Sequence, residues 1–502
     1  MSLAVALASV LAAAAALGRW LRVAQREHYL PGSVFRFTVR WWRRWPVDAP
    51  LAALILTTAA MSLRPGLEGF AWVALAGVAV GPTRLSIRGV TSPLAWTPRM
   101  RRLAAVAVVP LVAAAVTSIV LGSVAPATWG AVLVPVWVEG ALVLTAPLER
   151  RLGSTWVRRA AARLADADVS VVAITGSFGK TTTKAYVAHL LSGRRSVVAS
   201  PASFNNRMGL ARAVNEHLGP GADVFVAEMG TYGPGEIAEL CDWIPPDVAV
   251  ITAIGPVHLE RMGTEEAIVA AKREILTRAP VAVLGVDHPL LAAVAEEERA
   301  RRRVITCSAV GDAAVVVSPD GRVHVAGRVV GTTDRTGRAE RSNLAAAVGA
   351  VLGLGVDPGD VADRFTDLPV VPHRRTRGTS PRGFVVIDDT YNANPAGAAA
   401  ALADLVDAAP RGRRVVVTPG MVELGSRQQE ENRRFAAAVA AAGAELVVVG
   451  ETNRRALVDG AKEAGGPVIV LPDRAAAVEW VRDRLGPGDA VLYENDLPDH
   501  YP

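Results

Sequence analysis

The hydrophobic pattern changes character near residue 150. Before that point it is segmental, with five apolar runs at roughly Leu3–Leu17, Leu51–Leu63, Phe70–Val80, Leu103–Leu121 and Trp129–Leu148. From about residue 169 the runs become short and β-branched: VSVVAI, VFVAEMG, VAVITAIG and VAVLGV, and later FVVIDDTY, RVVVTPG, LVVVGE, VIVL and AVLYEN. Ala-rich stretches with helical spacing follow most of them, a pattern that predicts parallel sheets with helices between the strands. The stretch 313–331 separates two such series and reads as a hairpin around Asp320–Gly321. DLPVVPHRR (367–375), with its prolines, reads as a linker.

Length alone argues for several cores, since 502 residues exceed what one hydrophobic core holds. Charge is distributed unevenly. Residues 1–150 contain fourteen Arg, no Lys and five acids, a net +9; the whole chain carries +6, which leaves −3 for the remainder. The basic excess therefore belongs to the apolar region, and a nucleic-acid partner, which needs a basic patch on a folded domain, is not expected. The fourth apolar run is long enough to span a bilayer, and the fifth nearly so, with Glu139 interrupting it. The first resembles the apolar part of a signal peptide but has no positive start, and reads as an uncleaved helix. The second and third are short enough to form one re-entrant pair.

Arginine placement sets an orientation. Seven lie between Arg19 and Arg44, five between Arg84 and Arg102, and five between Arg150 and Arg163, whereas only Arg64 separates the second and third runs. Five spans with an outside N-terminus put every cluster on the cytoplasmic side. Trp20, Trp41, Trp42 and Trp45 suit an interfacial belt. The expected location is the cell membrane, multi-pass, with the later domains cytoplasmic. Cys241 and Cys307 lack any metal-site or disulfide-framework spacing and read as buried, reduced thiols.

The chemistry starts at AITGSFGKTTTK, residues 173–184. A strand, a glycine turn and a helix follow one another, the context in which free N–H groups and a helix dipole hold phosphate. Thr175, Gly176, Ser177, Gly179, Lys180, Thr181 and Thr182 form the candidate loop, Lys180 facing β/γ-phosphate charge and Thr181 a Mg²⁺ ion. Ile174 stands where the usual eight-residue pattern has its first glycine. Glu228, closing VFVAE, is a hard oxygen ligand at the carboxyl edge of a strand.

Further motifs follow in order: SFNNRMG (203–209), VAEMGTYGPGEI (226–237), ITAIGPVHLERMGTEEAIVAAKREIL (251–276), VIDDTYNANP (386–395) and MVELG (421–425). Together with TGSFGKTTT they resemble the Mur ligase family over about residues 169–450, and that family's shortened phosphate loop accounts for Ile174. The branch most similar is the UDP-N-acetylmuramoyl-tripeptide–D-alanyl-D-alanine ligases. After the N-terminal transmembrane helices that the apolar runs predict at 1–150, the resemblance implies a phosphate-loop-type central ATPase domain at 151–368 and a Rossmann-like C-terminal domain at 369–502.

By the same resemblance the reaction is ATP-dependent amide formation, in which a carboxylate is activated as an acyl phosphate and captured by an amine. ATP and Mg²⁺ are the implied cofactors, and an envelope precursor or small peptide the implied substrate; oligomeric state is not indicated. The family's roles fall on Thr181 and Glu228 for one Mg²⁺, and on His258, Glu228 and a carbamylated Lys272 for a second. Lys180, Glu228, His258 and Lys272 are thus the catalytic set. Asn205 and Asn206 lie near metal and phosphate, Arg374 (or its neighbour Arg375) reaches the nucleotide, and Asp389 contacts its ribose and phosphate side. Asp388 and Tyr391 shape that loop, and Tyr391 stacks on adenine.

Three departures stand out. Glu340 in AERSNLAAA replaces the asparagine that reads adenine in the family; PGM (419–421) replaces Gly-Asp-Met; and VLYENDLPDHYP replaces the motif near the amino substrate. Apolar segments stand where the family has its UDP-substrate domain. Alternatives are a membrane-anchored polyglutamate-type synthase, which YNANP disfavours, a non-ligase ATPase using the same loop, and a non-catalytic scaffold.

Overall fold

The computed structural model describes residues 2–43, 46–83, 85, 93–201, 204–257, 259–372, 375–390 and 393–497, the side chain of Glu260 excepted. Two compact units emerge, one running to Gly153 and the other covering Ser154–Asp496.

In the first unit every apolar run is helical: Ser2–Arg26, Asp48–Met61, Phe70–Val80, Pro98–Leu121, and then Ala125–Val132 followed by Val134–Asp166. Among the described residues two of these, Ser2–Arg26 and Pro98–Leu121, are long and apolar enough to cross a membrane. The fifth run breaks at Leu133, and its two helices meet at 66°, so that the pair counts at most as one broken span. Asp48–Met61 and Phe70–Val80 are shorter than a span. A helix that the apolar pattern does not foresee, Ser33–Trp42, carries part of the first arginine cluster. Its Val34, Phe37 and Trp41 are buried while Phe35, Arg36 and Arg40 are exposed, with Phe37 stacked on Trp41 at 5.0 Å between ring centroids.

The second unit contains two sheets. Their strands are β1 (Ser170–Thr175), β2 (Val197–Ala199), β3 (Val224–Glu228), β4 (Val248–Ile251), β5 (Val281–Gly285), β6 (Arg303–Ser308), β7 (Val315–Val317), β8 (Arg322–Val325) and β9 (Arg328–Thr332), then β10 (Thr376–Thr379), β11 (Val385–Asp389), β12 (Arg414–Thr418), β13 (Glu445–Val449), β14 (Val468–Leu471) and β15 (Ala490–Glu494). The first sheet runs β2-β3-β1-β4-β5-β6-β7-β8-β9, and the second β10-β11-β15-β12-β13-β14. Pairing is parallel except at β7–β8–β9 and β10–β11. The expected hairpin forms between β7 and β8, but it extends the first sheet and does not merely separate two series.

Period-two alternation positions the core. Val171 and Ala173 of β1 face one apolar cluster with the helices Arg207–His217 and Glu236–Trp243, while Val172 and Ile174 face another with Lys180–Leu191 and Arg338–Gly353. Covering both faces leaves only the strand ends open, and the site lies at the carboxyl ends. Cys241 and Cys307 are free and buried, as the sequence predicts.

Candidate active site

Ile174 belongs to strand, not loop: it is fully buried and registers against Glu228 on β3 and Val250 on β4. The turn therefore begins one residue later and needs only two glycines. Gly176 has φ 153°, and a Cβ there would lie 2.0 Å from Thr252 Oγ1; Gly179 has φ 85°, and a Cβ there would lie 2.2 Å from Asn343 Oδ1. Both close approaches exclude a side chain. Lys180 opens the helix Lys180–Leu191, and its Nζ donates to the Gly176 carbonyl at 2.7 Å. Ser177 donates to the Gly255 carbonyl at 3.2 Å, and Thr175 is buried at the end of β1.

Because β3 neighbours β1, Glu228 emerges beside the loop. Thr181 Oγ1 donates to Glu228 Oε2 at 3.0 Å, Asn205 Nδ2 to Oε1 at 3.2 Å, and Lys184 Nζ pairs with Oε2 at 3.0 Å. Burial opposes ionisation of Glu228, but Lys184 and Lys180 together hold its carboxyl below the usual range. Sequence reasoning missed Lys184, although its i+4 spacing from Lys180 puts both on one helix face. Asn206 does something different from its neighbour: its side chain caps the helix Arg207–His217, accepting from Gly209 N–H at 2.9 Å.

Lys272 is 2% exposed on the helix Glu265–Arg273, not a solvated surface charge. Burial, then the charge of Lys180, lowers its pKa well below the ordinary lysine value. No carboxylate pairs with it among the described residues. His258, Arg374 and Tyr391 lie outside the described residues. Among those described, no three His, Cys, Asp or Glu side chains gather as a metal cluster.

A cavity of about 470 Å³ opens beside the loop, with Gly179, Thr182, Glu340, Asn343, Arg375 and Asp389 in its walls. It thus joins the first sheet's loop to the carboxyl end of β11. Asp389 is largely buried and accepts from Arg375 N–H at 3.3 Å; Asp388 turns the chain instead, accepting from Thr390 Oγ1 at 2.6 Å. Arg375 (φ 51°) pairs with Asp404 at 3.0 Å and lies 3.8 Å from Glu340, which is also 3.6 Å from Arg335. Asn343, three residues after Glu340, was not among the expected site residues; its contact with Gly179 spans 164 positions of chain.

Next to Asp389 in register is Glu494, fully buried at the end of β15. Thr418 donates to its Oε2, and its Oε1 has no hydrogen-bond partner among the described residues. Burial pushes this carboxyl up to about 8, the Thr418 bond works the other way, and Asp389 adds to the rise. A folded-state value above the unfolded one favours folding fully below about pH 4.5, and that benefit is lost as pH climbs toward 8. E494Q should therefore gain stability relative to the unmodified protein between pH 5 and 8, by roughly 1–3 kcal/mol. Thermal melts across that range check it; a difference that does not change with pH contradicts the assignment.

The Mur ligase middle domain model matches residues 174–351, and the Mur ligase, glutamate ligase domain model matches residues 373–493. A Mycobacterium leprae protein named UDP-N-acetylmuramoyl-tripeptide–D-alanyl-D-alanine ligase is 33% identical over 379 residues, covering 66% of this chain and 72% of its own. The Synechocystis protein of the same name is 31% identical, covering 65% and 71%. The structure of the MurF ligase from Thermotoga maritima in complex with ADP superposes with a TM-score of 0.60 at 27% identity, covering 68% of this chain and 80% of that one. The chain belongs to the Mur ligase family, whose members are ATP-dependent, amide-bond-forming ligases. Its N-terminal helical region lies outside both family matches.

Proposed function

We propose that this is a membrane-anchored Mur-type ligase that joins an amino acid or dipeptide amine to the carboxylate of an envelope precursor, with the acceptor held at the membrane by a lipid. The observation that carries this reading is the convergence of Lys180, Thr181 and Lys184 on the buried Glu228 at the mouth of the phosphate loop. The acceptor carboxylate attacks the γ-phosphorus of ATP and ADP leaves. The amine nitrogen then attacks the acyl carbon, phosphate departs, and the amine's surplus proton leaves with it or passes to solvent.

The protein's part is positional and electrostatic. Loop N–H groups and Lys180 bear phosphate charge, and Asn205 keeps Glu228 oriented. Asp389 and Arg375 form the nucleotide's other wall, and Arg374 belongs to the same linker. The Thr181 hydroxyl and Glu228 carboxylate, 3.0 Å apart, suit Mg²⁺, which binds through one or two protein oxygens together with phosphates and water. Bound there, Mg²⁺ would spread the charge of the transferring phosphoryl group. His258 and Lys272 belong to a second such position in this reading. Burial of Lys272 and the nearby charge of Lys180 favour the neutral amine that carbamate formation requires.

The membrane half rests on Ser2–Arg26, Pro98–Leu121 and the placement of arginines. Five apolar segments, with the short Asp48–Met61 and Phe70–Val80 forming a pair that turns at the Arg64–Glu68 link toward the outer face, put the catalytic unit on the cytoplasmic side. A reporter fused after Pro502 should then read cytoplasmic and one at the Arg64–Glu68 link external; an external signal at Pro502 removes the topology. Substrate choice is tested by ADP and phosphate release across soluble and lipid-linked muramyl-peptide acceptors with candidate amino acids and dipeptides, product masses being recorded. Turnover with repeated addition of one amino acid would favour the polyglutamate-type reading instead.

A further inference from the structure

The helical unit contains a groove that neither family match reaches. It encloses about 410 Å³, room for a single hydrocarbon chain, between Trp20, Ile55, Val78 and Val136, with Trp42 and Arg43 at one edge. Six helices converge on it, two of them meeting at the break at Leu133. Among the described lining residues Arg43 is the one ionisable group.

The groove is built in advance of any occupant. Arg19, buried, donates to the carbonyls of Val78 (3.3 Å), Ala79 (2.6 Å) and Gly81 (2.9 Å), pinning the end of the helix Phe70–Val80. A Cβ on Gly81 would lie 2.5 Å from Trp42 Cη2, so the glycine lets the indole close against that helix end. Arg19 is thereby committed to backbone, whereas Arg43 is exposed.

Surroundings decide the occupant. The same unit exposes Leu7, Leu11, Leu54, Val109, Val112 and Val120, large aliphatic side chains that lipid accommodates better than water. The helix Ser33–Trp42, with exposed Arg36 and Arg40 opposite buried Val34 and Phe37, has the make-up of a helix lying at the membrane interface. It contributes Trp42 and leads directly into Arg43, so the groove's cationic edge falls at head-group level and its apolar walls at chain level.

We propose that this groove binds the anchor of the acid substrate: one long apolar chain ending in a phosphate that Arg43 neutralises. The inference rests on the membrane reading above and narrows its substrate to a lipid phosphate.

The test uses the full chain in phosphatidylcholine nanodiscs with a diazirine-bearing farnesyl phosphate, the labelled peptides being identified by mass. Labelling should concentrate on peptides containing Trp42–Arg43 and Ala131–Val136. Excess unlabelled farnesyl phosphate should suppress it, while farnesol and two-chain phosphatidylglycerol should not. R43Q, a change at an exposed side chain, should raise the half-labelling concentration about tenfold, leaving ATP turnover on a soluble acceptor unchanged. Label spread along Val108–Val120, equal competition by phosphatidylglycerol, or an unaltered R43Q would overturn the site. Failure of the protein to insert, read separately by flotation, would overturn the membrane reading and the site with it. Insertion and turnover without focused labelling would overturn the site alone.

Discussion

Lys180→Ala should lower ADP and phosphate release by about three orders of magnitude or more, roughly 4 kcal/mol of transition-state stabilisation. Its ammonium is the loop's own cation: it starts the helix Lys180–Leu191 and reaches back to the Gly176 carbonyl. Removing it leaves the strand, both glycine contacts and the Glu228–Lys184 pair in place, so folding and membrane association should persist. Lys184 cannot substitute, because its charge is already engaged with Glu228. Activity within tenfold of the unmodified enzyme would place the nucleotide elsewhere.

Lys272→Ala should lower turnover by about 10²–10³-fold with little loss of thermal stability. Replacing a surface lysine would leave turnover unchanged, and at 2% exposure Lys272 is not one. Deleting a buried amine that has no paired carboxylate among the described residues removes the cost of burying a polar group, which offsets the lost side-chain packing. If the functional group is a carbamate, acetate should restore part of the variant's activity by supplying carboxylate oxygens in the vacated space. Bicarbonate should help only the unmodified enzyme, because a carbamate needs the amine. An alanine variant that is fully active and indifferent to both anions would take Lys272 out of the site.

Much of this architecture is legible in local pattern. β1, β3, β4, β5 and β11–β15 coincide with the short β-branched runs because a parallel strand covered on both faces must be apolar throughout. The phosphate loop is equally local: strand end, glycines, lysine and hydroxyl lie within a dozen residues, and the backbone geometry follows from their order. β2, β6 and β10 were not legible. β2 has three residues, β6 begins on an arginine, and β10 reads TRGT; each becomes a strand only because a neighbouring edge supplies hydrogen bonds. The break at Leu133 and the helix Ser33–Trp42 also escape a reading of apolar runs, since both depend on which helices pack together.

The sequence by itself determined the class of chemistry, through motifs whose function resides in a few consecutive residues, and it determined where charge and hydrophobicity divide the chain. Tertiary structure alone decided which groups meet. Glu228 faces Thr181 because β3 lies beside β1, and Asn205 turns to it while Asn206 caps a helix. Asn343 closes on Gly179 across 164 positions, and Glu494 is raised to about 8 by burial beside Asp389. Lys272 passes from a nominal surface charge to a buried amine for the same reason. Burial and neighbours set a side chain's protonation and reach, and both are properties of strand order and packing that no local spacing encodes.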